Sequence, residues 1–465
     1  MSKKQMELLK ILRNEIDRLP PETKLPTVRA LMDRFSTGPH TVQKVLQILA
    51  EQGRIVIKSG SGSYTAGQAV TSFSSSTAWQ EAVLSTRYHP GDHLRELLTY
   101  APEDCIPLQS GYAAFELQAT AELQTSLKAV SRKPHLWGRT PTEGLEDLRA
   151  WFAQDIGPHF RATDVQIVSG GQAALAIVFS ALTEPGQDVL VESPTYMGAL
   201  AAIRSANLNP IPVPTDRHGI VPELLETTLR RGKANVLYIQ PLHANPTGST
   251  LAHTRRREVL ELAERYNLFI VEDDYLRGLT FAGTAPKPLI TENESHVIYL
   301  RSLTKSTAPS MRVAAIVARG VAKTRIHSMG VVEGLFVPRL LQETALHLLS
   351  SPQWPKHLKR CCHALELHRD LALEEIKRYA AFQPYLQPTG GFHMWVQLPE
   401  GISSEAFART AERHRVMVSR GDMYFPAEPT GSFFRLSFGS VDSQTLRDGI
   451  YRLGQALDEC VKNPM

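Results

Sequence analysis

At 465 residues, with 42% hydrophobic and 21% charged side chains, the chain is long enough for two or three domains, and its ordinary globular composition excludes wholesale disorder, a collagen-like repeat and membrane residence. The formal net charge of +4 is unevenly placed: residues 1–66 carry 11 Lys/Arg against 6 Asp/Glu and the remainder 40 against 41, so the N-terminal part is expected to meet an anionic partner. The cysteines Cys105, Cys361, Cys362 and Cys460 match neither a disulfide framework nor a zinc site, which predicts a reducing, cytoplasmic setting and no metal.

Met1-Ser2-Lys3-Lys4-Gln5 leads straight into a helical pattern, without the continuous apolar core of a signal peptide. Met6, Leu9, Leu12, Ile16 and Leu19 recur at helical spacing, and Pro20-Pro21 stops that helix. Thr27 is placed to cap a second helix, with Val28, Leu31, Met32 and Phe35 on its inner face. Past Ser36-Thr37-Gly38, Pro39 suits the first turn of a third helix, with Val42, Val45, Leu46 and Leu49 inward and Gly53 at its end. Ile55-Val56-Ile57 reads as a strand, Ser59-Gly60-Ser61-Gly62-Ser63 as a flexible turn, and Tyr64 as the start of a return strand. Three helices and a Gly/Ser-tipped hairpin make a winged helix-turn-helix, whose third helix would present its N-terminal residues to base edges in the major groove. His40, Gln43 and Lys44 are candidate DNA contacts from that helix position alone. Helical spacing by itself also fits a basic appendage that only solubilises or dimerises the protein; the charge excess and the wing favour double-stranded DNA.

Residues 67–77, uncharged and rich in Ser, Thr, Gly and Ala, lack an apolar face and read as linker. Short apolar strands then alternate with helical stretches, at 165–168, 188–191, 236–239, 269–271, 297–300 and 313–317. That pattern predicts an α/β fold with a mostly parallel sheet covered on both faces. The uncharged run 165–183 approaches membrane-span length, but Gln166, Ser169, Gly170, Gly171 and Gln172 break it into strand, turn and buried helix. Nearer the C-terminus, 392–397 and 433–438 form a candidate strand pair in a smaller α+β subdomain. The expected division is a DNA-binding domain at 1–66, a linker at 67–86, a large domain at 87–325 and the small subdomain at 326–465.

Two resemblances sharpen this reading. Leu25-Pro26-Thr27-Val28-Arg29-Ala30-Leu31, His40-Thr41-Val42 and the wing through Tyr64 resemble the GntR family of regulators. The resemblance implies that Arg29, Thr41 and Gly62 contact DNA. It departs at Pro39, where the family usually has an Arg just inside the recognition helix.

From Arg87 onward the chain resembles fold-type I aminotransferases, and the two resemblances together specify the MocR subfamily of regulators, with pyridoxal 5'-phosphate as the implied cofactor. Gly171 and Gln172, in a turn that follows a strand and opens a helix, would bind the phosphate through backbone N–H groups. Tyr196, in Pro194-Thr195-Tyr196, would stack on the pyridine ring. Asn245, in Asn245-Pro246-Thr247-Gly248, would donate to the phenolic oxygen, and Tyr275 would share it. Asp273 would hold the ring nitrogen protonated, making the ring an electron sink, whereas Glu272 and Asp274 read as a plain acidic strand end. Lys305 matches the Schiff-base lysine, Ser302 and Thr304 are neutral donors, Arg312 would pair with the phosphate and Arg435 with a substrate carboxylate.

The chain departs from the family at Trp137-Gly138, where a Tyr-Gly is usual, and at Gly111-Tyr112, which lacks the Gly-x-Pro pattern. The expectation is a homodimeric transcription regulator that senses an amino acid or amine, with slow or vestigial transamination. The alternative is a working aminotransferase with an accessory DNA-binding head.

Overall fold

The computed structural model describes residues 3–16, 19–20, 23–58, 62–66, 80 and 91–462, and the chain divides into two compact units, Met1–Tyr88 and His89–Met465. The first unit contains α1 (Lys3–Ile16), α2 (Val28–Phe35), α3 (Pro39–Glu51), β1 (Ile55–Lys58) and β2 (Gly62–Thr65). Thr27 Oγ1 accepts from the N–H of Ala30 at 3.3 Å and caps α2, and Ser36 ends the helix in the left-handed region. Pro39 starts α3, where its missing N–H costs nothing, and Gly53, at φ +67°, turns the chain after it. β1 and β2 pair antiparallel, and 23–25 pair with β2 through Leu25 N to Ser63 O at 2.8 Å and Thr65 N to Thr23 O at 2.9 Å. The tip of the predicted turn, 59–61, and the predicted linker, apart from Gln80, lie outside the described residues.

The inner face of α1 differs from the expectation. Leu8, Leu9, Leu12 and Ile16 are buried, whereas Met6 is 56% exposed and Leu19 39% exposed. Met6 lies roughly a quarter-turn from the buried stripe, Leu19 lies outside the described span of the helix, and Asp17, Arg18 and Pro21, on which the predicted stop bears, lie outside the described residues. Val42, Val45, Leu46 and Leu49 of α3 fill the centre of the unit with Leu31 and Ile55.

The second unit begins with the Asp92–Leu98 helix and the short strand β3 (Ile106–Pro107). Its main sheet comprises β4 (Val165–Val168), β5 (Asp188–Ser193), β6 (Asn209–Asp216), β7 (Gly219–Ile220), β8 (Val236–Ile239), β9 (Phe269–Asp273), β10 (Val297–Ser302) and β11 (Ala314–Val317). Their order is β4-β11-β10-β9-β8-β5-β6-β7, with all but β7 and β11 running in one direction. Alternate residues enter two different cores, as buried strands require: Leu190 joins one with Leu237 and Ile270, while Val189 and Val191 join the other with Tyr238 and Val271. Helices such as Glu146–Ile156 and His253–Tyr266 supply the first core, and Gly171–Leu182 and Met197–Ser205 the second.

A smaller antiparallel sheet has the order β12 (Gln383–Pro384), β13 (His393–Gln397), β16 (Phe433–Ser437), β15 (Ser419–Arg420). A separate two-stranded sheet is formed by β14 (Val416–Met417), which pairs in parallel with β3. Met394, Val396, Phe434 and Leu436 face the core under the long C-terminal helices. By strand alternation, His393 and Arg435 share the opposite face, because His393 pairs with Ser437 and Trp395 with Arg435.

Among the described residues, no helix is long and apolar enough to cross a membrane; the 165–183 run forms β4 and the buried Gly171–Leu182 helix.

Candidate functional site

The C-terminal ends of the parallel strands open onto one cavity of about 400 Å³. Gly171, Gln172 and Tyr196 line it, as do Asn245, Asp273 and Tyr275, and so do Ser302, Thr304, Lys305, Arg312 and Arg435. All the residues expected to hold a cofactor or its substrate in the large unit therefore meet, though they come from positions 171 to 435. The connection between β10 and β11 explains one part of this convergence. Those strands are antiparallel neighbours, so 303–313 turns back on itself and delivers Lys305 and Arg312 to the same sheet edge.

Lys305 Nζ donates to the carbonyl of Gly111 at 2.6 Å and lies 3.9 Å from the centre of the Tyr112 ring. Burial lowers its pKa to about 7; the positive charges of Arg435 and Arg312 add to that, and Asp273 opposes it. Burial also raises Asp273 to about 6, although Tyr238 Oη donates to its Oδ2 at 2.8 Å and Gln240 Nε2 at 2.9 Å. Gln240 is a hub that sequence reasoning missed. Its N–H donates to Glu192 Oε2 and its Oε1 accepts from Asn245 N, both at 2.8 Å, so one buried amide fixes both Asp273 and the Asn245 backbone. Burial raises Glu192 to about 8 against the Gln240 N–H, and the charge of Asp273 adds to the rise.

Arg435 is fully buried and is held by neutral acceptors: Nη1 donates to Asn245 Oδ1 at 3.0 Å and Nη2 to Gln109 O at 2.7 Å. Its Nε has no partner. No carboxylate faces its guanidinium in these contacts, so the arrangement can receive an anion. Tyr275 Oη donates to the carbonyl of His243, whose left-handed backbone (φ 49°) turns that oxygen toward it at 3.0 Å. The Tyr196 ring rests on Gly198, where a Cβ would fall 2.2 Å from it, and Tyr196 Oη donates to Gln172 Oε1 at 3.3 Å.

The guanidinium of Arg312 covers Gly170 at the start of the Gly171–Leu182 helix and donates to Ser169 O at 3.2 Å. Gly170 has φ +90°, and a Cβ there would lie 2.7 Å from Arg312, so glycine is required. Ser302 and Thr304 exchange hydrogen bonds beside it. Glu272 accepts from the N–H groups of Leu289 and Ile290, and Asp274 accepts from Tyr299 and Arg277, so both serve packing. Trp137 is 82% exposed and is not among the residues lining the cavity. His393, Leu94, Leu98 and Leu175 line it and had no local sequence signal, and Gly111 and Tyr112, from the segment that departs from the family pattern, line it too.

In the first unit, Arg29, His40, Gln43 and Lys44 are exposed, Thr41 is half-buried, and Gly62 is exposed with φ +111°. Lys58 and Lys24, which sequence reasoning passed over, lie 5.0 and 5.8 Å from the centre of the Tyr64 ring on the wing.

Comparison with known proteins matches residues 103–453 to aminotransferase class I and II, and residues 5–65 to bacterial regulatory proteins of the gntR family. Over 450 residues the chain is 27% identical to the uncharacterized HTH-type transcriptional regulator YdfD of Bacillus subtilis, covering 95% of this chain and 93% of that one. It is 32% identical over 324 residues to 2-aminoadipate transaminase of Thermus thermophilus, covering 68% of this chain and 81% of the relative. The solved structure of LysN, the alpha-aminoadipate aminotransferase of Thermus thermophilus complexed with N-(5'-phosphopyridoxyl)-L-leucine, superposes with a TM-score of 0.76 at 29% identity, covering 83% of this chain and 99% of that one.

Proposed function

From a chain that belongs to the aminotransferase class I and II family and carries a gntR-family regulatory domain at its N-terminus, we propose a DNA-binding transcription regulator that holds pyridoxal phosphate on Lys305 and senses an amino acid or amine through it. The observation that carries this reading is the convergence of Lys305, Asp273, Asn245, Arg312 and Arg435 on one cavity.

The donor set fits the cofactor. Lys305 offers an amine that is half neutral near pH 7, and a neutral amine is the nucleophile an aldehyde needs. Asp273 offers a carboxylate toward a ring nitrogen, oriented by Tyr238 and Gln240. Arg312 and the start of the Gly171–Leu182 helix offer a cation and free N–H groups to a phosphate. Asn245, Tyr275, Ser302 and Thr304 supply neutral polar contacts, and Tyr196, braced by Gln172, supplies an aromatic face. When bound, pyridoxal phosphate contributes an aldehyde that condenses with primary amines and a ring that withdraws electrons. Arg435 selects ligands bearing a carboxylate. The phosphopyridoxyl-leucine held by LysN is an adduct of the kind this set suits.

The DNA reading rests on the exposed basic and polar face of α2, α3 and the wing. Arg29, His40, Thr41, Gln43 and Lys44 would meet bases and phosphates, with the wing at Gly62 flanked by Lys24 and Lys58. We read the regulator as a homodimer, since helix-turn-helix heads bind paired half-sites.

One preparation tests both halves. After loading with pyridoxal phosphate and borohydride reduction, peptide mapping should find the pyridoxyl group on Lys305. The same protein should retard a duplex selected from its own upstream region, and removal of 1–66 should abolish that retardation. A label on another lysine defeats the first half, and retention of DNA binding by the truncated chain defeats the second. Rapid multiple turnover with a common amino-donor pair would favour an enzyme instead.

A further inference from the structure

Among the described residues lining the cavity, those carrying formal charge are Asp273, Lys305, Arg312 and Arg435. The proposed function, on which this inference rests, assigns each of them to the cofactor or to the ligand's carboxylate. The neutral polar side chains are assigned likewise, apart from His393 and Tyr112. The remaining wall is mostly carbon. Leu94 and Leu98 lie four residues apart on the Asp92–Leu98 helix and so project from one side of it. Leu94 also packs against the cluster of Trp395, Phe425 and Phe433, which anchors that helix. Leu175, in the second turn of the Gly171–Leu182 helix, adds a third branched chain, and Tyr112 and Pro309 extend the surface.

His393 supplies no counter-charge to this wall. It is buried, its Nδ1 has no partner, and burial together with Arg435 and Lys305 holds its pKa well below the usual histidine range. A second carboxylate would thus meet a neutral ring, and a side-chain ammonium would meet two cations and no uncommitted acid. Neither would find an uncommitted ion-pair partner among the described residues to offset the hydration it loses. An alkyl chain gains instead, by about fourfold in affinity for each methylene removed from water.

We infer that the ligand this cavity reads is an α-amino acid with an uncharged, apolar side chain of several carbons, seated against Leu94, Leu98 and Leu175.

The experiment is an equilibrium titration of the cofactor-loaded protein, followed by cofactor absorbance, with alanine, 2-aminobutyrate, norvaline and norleucine, then with glutamate, 2-aminoadipate and lysine. The apparent Kd should fall about fourfold per added methylene. The three charged amino acids should bind more weakly than norleucine. Leu98→Asn, at a position already 55% exposed and so tolerant of a polar group, should flatten the series. A flat series in the parent protein, an undiminished slope in Leu98→Asn, or tighter binding of 2-aminoadipate or lysine than of norleucine each overturns the inference. Those outcomes leave the cofactor reading standing. A cofactor band that no amino acid displaces overturns the underlying reading itself.

Discussion

Lys305 shows how one buried side chain couples folding to pH. Its amine titrates near 7 in the folded chain, because burial and the neighbouring arginines disfavour its charge, whereas an unfolded lysine titrates near 10.4. Between those values the unfolded chain binds the proton that the folded chain has released. The Lys305 contribution to the stability of the cofactor-free protein therefore rises with pH across that window, and the cost of burying Lys305 is full below pH 7. Cys361 acts in the opposite sense at higher pH. Burial pushes its thiol up to about 12, so above pH 9 the folded chain keeps a proton that the unfolded chain loses. Burial also raises Glu192 and Glu272 to about 8, which opposes the lysine between pH 7 and pH 9, so urea denaturation at those two pH values isolates the lysine by comparing the parent with Lys305→Met. Over that interval the change in stability should be measurably more favourable in the cofactor-free parent than in Lys305→Met. Equal changes in the two proteins would show that the Lys305 amine is not desolvated. The same low pKa makes the amine available as a nucleophile at neutral pH, so the destabilising feature is also the functional one.

At the level of elements, the wing assigns different work to neighbouring residues. Pairing of β1, β2 and 23–25 brings Lys24 and Lys58 to the two sides of Tyr64, while Arg29 stands on α2 and His40, Gln43 and Lys44 on α3. Ammonium groups act on phosphates as point charges, so the two wing lysines should contribute to affinity without discriminating sequence. Replacing both by Gln should reduce the log–log salt slope of binding by about 1.8 and weaken operator and random duplex alike. Arg29→Ala should narrow the gap between operator and random duplex. A salt slope unchanged by the double substitution would remove Lys24 and Lys58 from the phosphate contacts. The β10–β11 connection is the corresponding device in the second unit, since the antiparallel return of β11 carries Lys305 and Arg312 to the same edge as Asp273.

For the whole molecule, two compact units in one chain give the ligand something to regulate only if it binds two conformations unequally. Coupling between distinct sites is typically about 1–3 kcal/mol, or roughly 5–150-fold in affinity. An amino acid that displaces the cofactor band should therefore shift operator affinity within that range, measured by anisotropy at fixed salt. Arg435→Ala should remove the shift, because the carboxylate loses the buried guanidinium that Asn245 and Gln109 hold in place. Operator affinity indifferent to every amino acid that moves the band would mean that the second unit does not regulate the first.

Much of this was legible in the sequence because it is local. Thr27 and Pro39 act within a few residues of themselves, as cap and as helix start. The 245–248 motif, the acidic end of β9 and the Lys305 segment each keep their chemistry in a contiguous run at a strand end. Partnership and desolvation were not legible. Lys305 and the Gly111 carbonyl are 194 positions apart, and Arg435 and the Gln109 carbonyl 326 apart. Gln240 becomes a hub only because β5, β8 and β9 lie side by side, which brings Glu192 and Asp273 to its two ends. Met6 and Leu8 look alike as apolar residues, and only packing against α3 selects Leu8 for the core. Likewise Leu94 and Leu98 carry no motif, yet they wall the cavity. The sequence by itself determined which chemical groups stand at which strand ends, because strand periodicity and local caps are short-range. Tertiary structure alone decided which groups meet and how dry they are, because both depend on strand order across hundreds of residues.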